Sequence, residues 1–216
     1  RTEQVETGGM GRHRLAEHLK RLVDRGARVV LVSPRRDDLP EWVGADWWPV
    51  TPNTDTALLI ALAGEIVAAG REDREFLASC TSGSDEFLSY LKGSGDGTVK
   101  TAEWAAPITG IEAARIKALA AEISSKRTFI TLSFSLQRAV YGEQPWWAGV
   151  ALAAVAGEIG VAGGGVGHGF ASVGGQGLGH PVATVGSLSH GKKPNKSFIP
   201  VARIADMLLN PGAPFT

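Results

Sequence analysis

The sequence predicts an α/β domain built on a parallel sheet, and three observations carry that prediction. Twice, at 13–32 and again at 109–133, a helix with one apolar face leads through a short link into a β-branched run without alternation. Runs of that kind are strands covered on both faces, as parallel sheets require. The third observation is size: 216 residues at 44% apolar composition suffice for one generous domain, or for one domain and part of a second.

The first helix is expected at 13–25, where Leu15, Leu19, Leu22 and Val23 recur at helical spacing and Gly26 supplies a left-handed terminus. A buried strand follows over 27–32 and ends at Ser33-Pro34. After a turn at Pro40, a second strand is expected at 45–50. Pro52-Asn53-Thr54-Asp55 then opens a helix to about Ala69, with Asn53 or Thr54 as N-cap and Leu58, Leu59, Leu62, Ile66 and Val67 leaving little polar face.

Short helices at 75–79 and 84–91 and a glycine turn at 93–97 fill the next stretch. Thr109-Gly110-Ile111-Glu112 has capping-box spacing before a helix that carries Ile116, Leu119 and Ile123, and a strand is expected at 127–133. A core helix at 145–159 follows, rich in small residues. So many glycines occupy 160–179 that no regular element of any length is expected there, and a last helix is placed at 201–209. A boundary near Gly160 divides residues 1–160, the α/β domain, from residues 161–216, a glycine-rich segment that returns to a neighbouring domain.

Composition excludes several functions. Lys plus Arg equal Asp plus Glu, 22 to 22, so there is no excess positive field for nucleic acid or an anionic membrane surface. Cys80, the only cysteine and read as a buried thiol, rules out an internal disulfide or a cysteine cage for zinc or iron–sulfur. The longest apolar run falls short of the roughly 20 residues of a membrane-spanning helix. Residues 1–11 carry neither a signal-peptide core nor the first strand expected of a domain start, which suggests a piece of something longer.

Parallel sheets bind ligands beyond the C-terminal ends of their strands, which directs attention to 33–37 and 133–144. Ser33-Pro34-Arg35-Arg36-Asp37 offers hydroxyl, guanidinium and carboxylate groups that suit a ribose or phosphate, or it is simply a polar loop. Asp55 reads either as an ordinary carboxylate at a helix start or as an acceptor for the N1–H and 2-amino group of a guanine. The segment 133–144 holds Arg138, which if buried needs a partner such as Glu143 or an acidic ligand. Gly163 to Gly169 fits neither phosphate-loop nor dinucleotide spacing and reads as irregular backbone packed closely against a neighbour. The five histidines form no zinc pattern, and no hydrolase triad is evident.

As a set, TPNTDTAL (51–58), KTAEWAAPITGI (100–111), SFSLQRAVYGEQPWW (133–147), LAAVAGEIGVAGGGVGHGF (152–170) and IPVARIADMLLNPG (199–212) resemble the molybdopterin oxidoreductases that reduce dimethyl sulfoxide, trimethylamine N-oxide and biotin sulfoxide. The resemblance implies a Rossmann-like parallel sheet flanked by helices, one of the two domains that each cradle a molybdopterin guanine dinucleotide around molybdenum. It implies a bacterial enzyme that reduces S-oxides or N-oxides by oxygen-atom transfer, with the remaining domains of the same enzyme as partners. By motif, Ser33, Pro34 and Arg35 would lie at the nucleotide end of the cofactor, Asn53, Thr54 and Asp55 at its guanosine, and Phe134 and Arg138 near the pterin. Phe134 stands where the family usually has Trp, and the serine that ligates molybdenum lies outside the matching stretch, so no residue here is a metal ligand. The isolated chain is expected to be inactive. The alternative is a stand-alone guanine-dinucleotide-binding module.

Overall fold

The computed structural model describes residues 15–167, Gly191 and 203–213, and the chain divides into two compact units, 1–179 and 180–216. In the first unit α1 (Leu15–Asp24) leads to β1 (Val30–Val32), and β2 (Asp46–Trp48) precedes α2 (Asp55–Ala68). Then come α3 (Arg74–Cys80), α4 (Ser84–Leu91), α5 (Ala102–Thr109), α6 (Ala113–Ile123), β3 (Phe129–Thr131), α7 (Gln144–Val155) and β4 (Gly165–Gly167). The described part of the second unit holds α8 (Ile204–Leu209).

The sheets are parallel, as the unalternating runs predict, and come as two pairs. Val30, Leu31 and Val32 of β1 stand opposite Asp46, Trp47 and Trp48 of β2, and Phe129, Ile130 and Thr131 of β3 stand opposite Gly165, Val166 and Gly167 of β4. Helices flank them, and α2 is the centre of the core. Leu58, Leu59, Leu62, Ile66 and Val67 are all buried, and the helix packs on α5, α6 and α7. Its all-apolar surface needs that many neighbours to leave water.

Several expectations are corrected. Neither β1 nor β3 is buried on both faces: Val30, Leu31 and Val32 are half-buried, and Phe129 and Thr131 of β3 are exposed. Thr109 does not start a capping box: it ends α5, its hydroxyl donating to the Ala105 carbonyl at 2.9 Å and accepting from Ile111 N–H, and Gly110 follows at φ 75°. The N-cap of α6 is Glu112, without a side-chain cap bond. Helix α7 stops at Val155, four residues early.

Glycine-rich Gly165–Gly167 forms a strand despite its composition, held by Gly165 N–H donating to the Thr128 carbonyl at 3.1 Å. Close packing explains the glycine beside it. A Cβ on Gly164 would lie 2.0 Å from the Glu158 carboxylate, which Arg127 faces at 3.4 Å. Residues 168–179, together with His13, His168, His180 and His190, lie outside the described residues, and His18 is exposed on α1. Cys80 is exposed, since Leu77 is the position that α3 buries.

Asp46 ties the first strand pair to α6. Its carboxylate accepts from Trp48 Nε1 at 2.9 Å, Arg28 at 2.7 Å and Arg115 at 3.0 Å, and the Arg115 guanidinium lies 4.4 Å from the Trp48 ring centre. The Trp48 hydrogen bond, then Arg28 and Arg115, hold the Asp46 carboxyl below its ordinary range. A depressed carboxyl stabilises the fold above its unfolded pKa, and that stability is lost as pH falls through the folded value. Asp46→Asn is therefore expected to lower stability at neutral pH by on the order of 1 kcal/mol, a value reduced by solvent screening. It should also flatten the loss below about pH 4, as read by urea unfolding across pH.

Candidate functional site

The loop after β1 folds on itself. Ser33 is 6% exposed; its N–H donates to the Trp48 carbonyl at 3.2 Å, its carbonyl accepts from Trp47 Nε1 at 2.9 Å, and its hydroxyl donates to Asp38 and accepts from Arg35 N–H at 3.1 Å. Pro34 is exposed. Arg35 grips Asp37 with two bonds, Nε at 3.0 Å and Nη2 at 2.7 Å, and Asp37 followed by Asp38 raises its pKa further above the ordinary arginine value. A phosphate at this loop would compete with Asp37 for the guanidinium, because both suit the same bidentate geometry.

The second cluster opens α2. Thr54 is the N-cap by position, its carbonyl accepting from Ala57 and Leu58 N–H, but its hydroxyl turns back to donate to the Thr51 carbonyl at 2.7 Å, so the expected side-chain cap is not made. Asn53 adopts φ 65°, a left-handed conformation that Asn tolerates better than most residues. That kink delivers Asp55 to the first turn of the helix, where its carboxylate is half buried. Burial raises the Asp55 pKa, opposed by a backbone hydrogen bond.

The third cluster follows β3. Ser133 accepts from Ser135 N–H and opens a 3₁₀ turn, Phe134–Arg138, that exposes both Phe134 and Arg138. The condition under which Arg138 would need Glu143 or an acidic ligand as partner is not met: Arg138 is exposed. The chain then tightens. Tyr141 takes φ 57° while 74% exposed, and Gly142 sits so close to the turn that a Cβ would lie 2.6 Å from Gln137 backbone atoms. Pro145 in the first turn of α7 suits its fixed φ.

Two of these clusters meet. A cleft of about 320 Å³ is lined on one side by Asn53, Asp55 and Thr56 and on the other by Leu136, the stretch 139–142, Gln144 and Pro145. That volume is at the low end of ligand sites, which run from about 300 to 1,000 Å³. Asn53 and Tyr141, the two left-handed non-glycine residues among the described residues, face it. Such conformations cost energy and concentrate at ligand clamps. Of the predicted residues, Asn53 and Asp55 line the cleft; Ser33, Pro34, Arg35, Thr54, Phe134 and Arg138 do not. Tyr141 and Gln144 lie within the segment singled out after β3, but only the backbone twist at Tyr141 shows that they face Asp55. Among the described residues no group of His, Cys, Asp and Glu could hold a metal.

Across all 216 residues the chain is 57% identical to a biotin sulfoxide reductase of Cereibacter sphaeroides. The chain is homologous over its whole length to a segment of that reductase. Over 91% of its length it is also 40% identical to the dimethyl sulfoxide/trimethylamine N-oxide reductase of Rhodobacter capsulatus and 40% identical to the trimethylamine-N-oxide reductase of Haemophilus influenzae. It spans 29% of the first of these relatives and 25% of each of the others. No protein-family profile matches it. Among solved structures, acetylene hydratase from Pelobacter acetylenicus shares the fold, with a TM-score of 0.59 at 22% identity over 68% of this chain and 20% of that one. Within this segment of the oxide reductases, the cleft between α2 and the turn before α7 is the concavity in which predicted site residues converge.

Proposed function

We propose that this chain is the part of a bacterial molybdenum-dependent S-oxide or N-oxide reductase that binds one of two molybdopterin guanine dinucleotides, with guanosine in the cleft between α2 and the 139–145 turn. The observation that carries the reading is Asp55, a half-buried carboxylate at the start of α2, facing a cleft of nucleoside size. An ionised carboxylate accepts two hydrogen bonds side by side, which matches the N1–H and 2-amino donors of guanine. Burial raises the Asp55 pKa. Donors from the base would favour the charged form, so binding would weaken as pH falls and the carboxyl takes up its proton. The positive end of the α2 dipole also favours that charge.

The donor set fits the group. Asn53 lines the approach to the base and Thr54 sets the turn beside it, the loop of Ser33, Pro34 and Arg35 beyond β1 would take the nucleotide end, and exposed Phe134 and Arg138 would offer an aromatic face and a cation to the pterin. When bound in the complete enzyme, the molybdenum cofactor would supply the two electrons that reduce the oxide substrate, whose oxygen atom is removed. The residues of this chain bind and orient. The chain alone would be catalytically silent, and the remaining domains of the enzyme are its partners. Among the described residues no helix is long and apolar enough to cross a membrane.

The test is a cofactor assay on the full-length parent purified from a host that makes molybdenum cofactor. Two pterins and two guanine nucleotides per molybdenum are expected; a folded parent with no pterin or guanine overturns the reading.

A further inference from the structure

The turn that carries Asp55 is fastened to the core through Thr51. Its N–H donates to the Thr109 carbonyl at 2.9 Å. That carbonyl ends α5, where a helix cannot satisfy its own terminal acceptors. Thr109 is fully buried, and its hydroxyl is committed to the Ala105 carbonyl at 2.9 Å and to Ile111 N–H at 3.2 Å. Gly110 lets Thr51 come close, since a Cβ there would stand 3.3 Å from Thr51 Oγ1. Thr51 thus rests on the junction between α5 and α6.

From Thr51 the chain turns through Pro52 and Asn53 and returns at Thr54. Proline second and a left-handed residue third is the pattern of a type II turn, and Asn53 has φ 65°. The backbone bond of the turn is long, with Thr54 N–H donating to the Thr51 carbonyl at 3.3 Å. The Thr54 hydroxyl donates to the same carbonyl at 2.7 Å. A threonine at a helix N-cap ordinarily uses its side-chain oxygen to accept from an N–H of the first turn, and here that bond is not made. The side chain serves the turn rather than the helix, and the residue after the turn is Asp55. Asn53, Asp55 and Thr56 line the cleft, whereas Thr54 does not.

We propose that Thr54 is the positioning residue of Asp55: its hydroxyl latches the turn to the Thr51 carbonyl, and the latch holds the Asp55 carboxylate in register with the N1–H and 2-amino donors of the base. Thr54 itself does not touch the base. The proposal rests on the placement of guanosine against Asp55. Two hydrogen bonds side by side tolerate little rotation of either partner, so a carboxylate on a loosened turn keeps its charge and loses its alignment. Removing the hydroxyl does not uncap α2, because the Thr54 carbonyl still accepts from Ala57 and Leu58 N–H. The effect therefore falls on binding more than on folding.

The test is the rate at which the full-length, cofactor-loaded parent loses guanine nucleotide per protein chain during dialysis, with urea unfolding midpoints as the folding control. Thr54→Val and Thr54→Ala should lose it roughly two- to tenfold faster than the wild type, the range expected for one hydrogen bond. Thr54→Ser keeps the hydroxyl and should stay within about twofold of the wild type. Asp55→Asn should speed the loss by itself, and Thr54→Val added to it should change nothing further, because residues that act through one another are not additive. Equal rates for the serine and valine forms overturn the proposal. So does a full additional loss in the Asp55→Asn background, which would place Thr54 directly against the base. In either case a fast Asp55→Asn protein leaves the guanosine placement standing. A wild-type rate for Asp55→Asn sinks that placement, and the proposal with it.

Discussion

Gly64→Ala is expected to destabilise the fold by on the order of 3 kcal/mol, although alanine is the better helix former. Gly64 lies in the middle of α2, and a Cβ there would stand 2.1 Å from the Lys100 carbonyl oxygen. That atom is backbone, so it moves only if the segment between α4 and α5 moves. The segment is pinned from α2 as well, by Ala102 N–H donating to Glu65 Oε1 at 2.7 Å. Gly44→Ala is the control: Gly44 is left-handed at φ 63° with open space around it, so alanine should cost about 1 kcal/mol of backbone strain. Urea unfolding of the parent protein compares the two. Equal losses would contradict the close approach of α2 to Lys100.

Lys100→Ala is the second large loss, expected at about 2–4 kcal/mol. The side chain is 1% exposed, yet its ammonium is fully engaged: it donates to both Asp96 oxygens, at 2.9 and 2.7 Å, and to the Thr98 carbonyl, and lies 4.4 Å from the Tyr90 ring centre and 5.4 Å from that of Trp104. Alanine removes the cation, the ring contacts and the buried stem together. Asp96 is half exposed and stays solvated, which keeps the loss below that of a fully buried pair. Lys100→Met, which keeps the stem, should recover roughly half. A wild-type unfolding midpoint for Lys100→Ala would show that the ammonium cluster contributes nothing.

Much of this architecture was legible because helices advertise themselves by periodicity. The apolar positions of α2 and α6, and the glycine stop at Gly26 with φ 78°, follow from spacing alone. Helix α5 did not, because Pro107 sits inside it and reads as a break; the helix survives on the Thr101 cap, whose hydroxyl accepts from Trp104 N–H at 3.1 Å, and on the burial of Ala102 and Ala105. Gly165–Gly167 escaped notice for the opposite reason. Nothing in a glycine run signals a strand, and this one is set by its pairing with β3, while the glycine before it, Gly164, has no room for a Cβ beside the Glu158 carboxylate.

The site divides along the same line. Asp55 could be singled out from chemistry, since an acid at a helix start has two uses. That the turn at 139–142 would face it could not, because the approach depends on left-handed backbone at Tyr141 as well as Asn53, and a tyrosine, unlike an asparagine, gives no hint of it. Arg138 misled through composition: a cation among aromatics suggests burial, while the 3₁₀ turn presents it to solvent.

The most direct test of the nucleotide assignment is the guanine nucleotide retained per molybdenum by the Asp55→Ala and Asp55→Asn forms of the parent enzyme, both checked for wild-type circular dichroism. Loss of two charge-assisted hydrogen bonds should weaken the guanosine end by about 1.5–3 kcal/mol, a tenfold to hundredfold drop in affinity. Guanine content is then expected to fall below that of the wild type in both variants, with the protein still folded. Full wild-type content in both would contradict the placement of guanosine against Asp55.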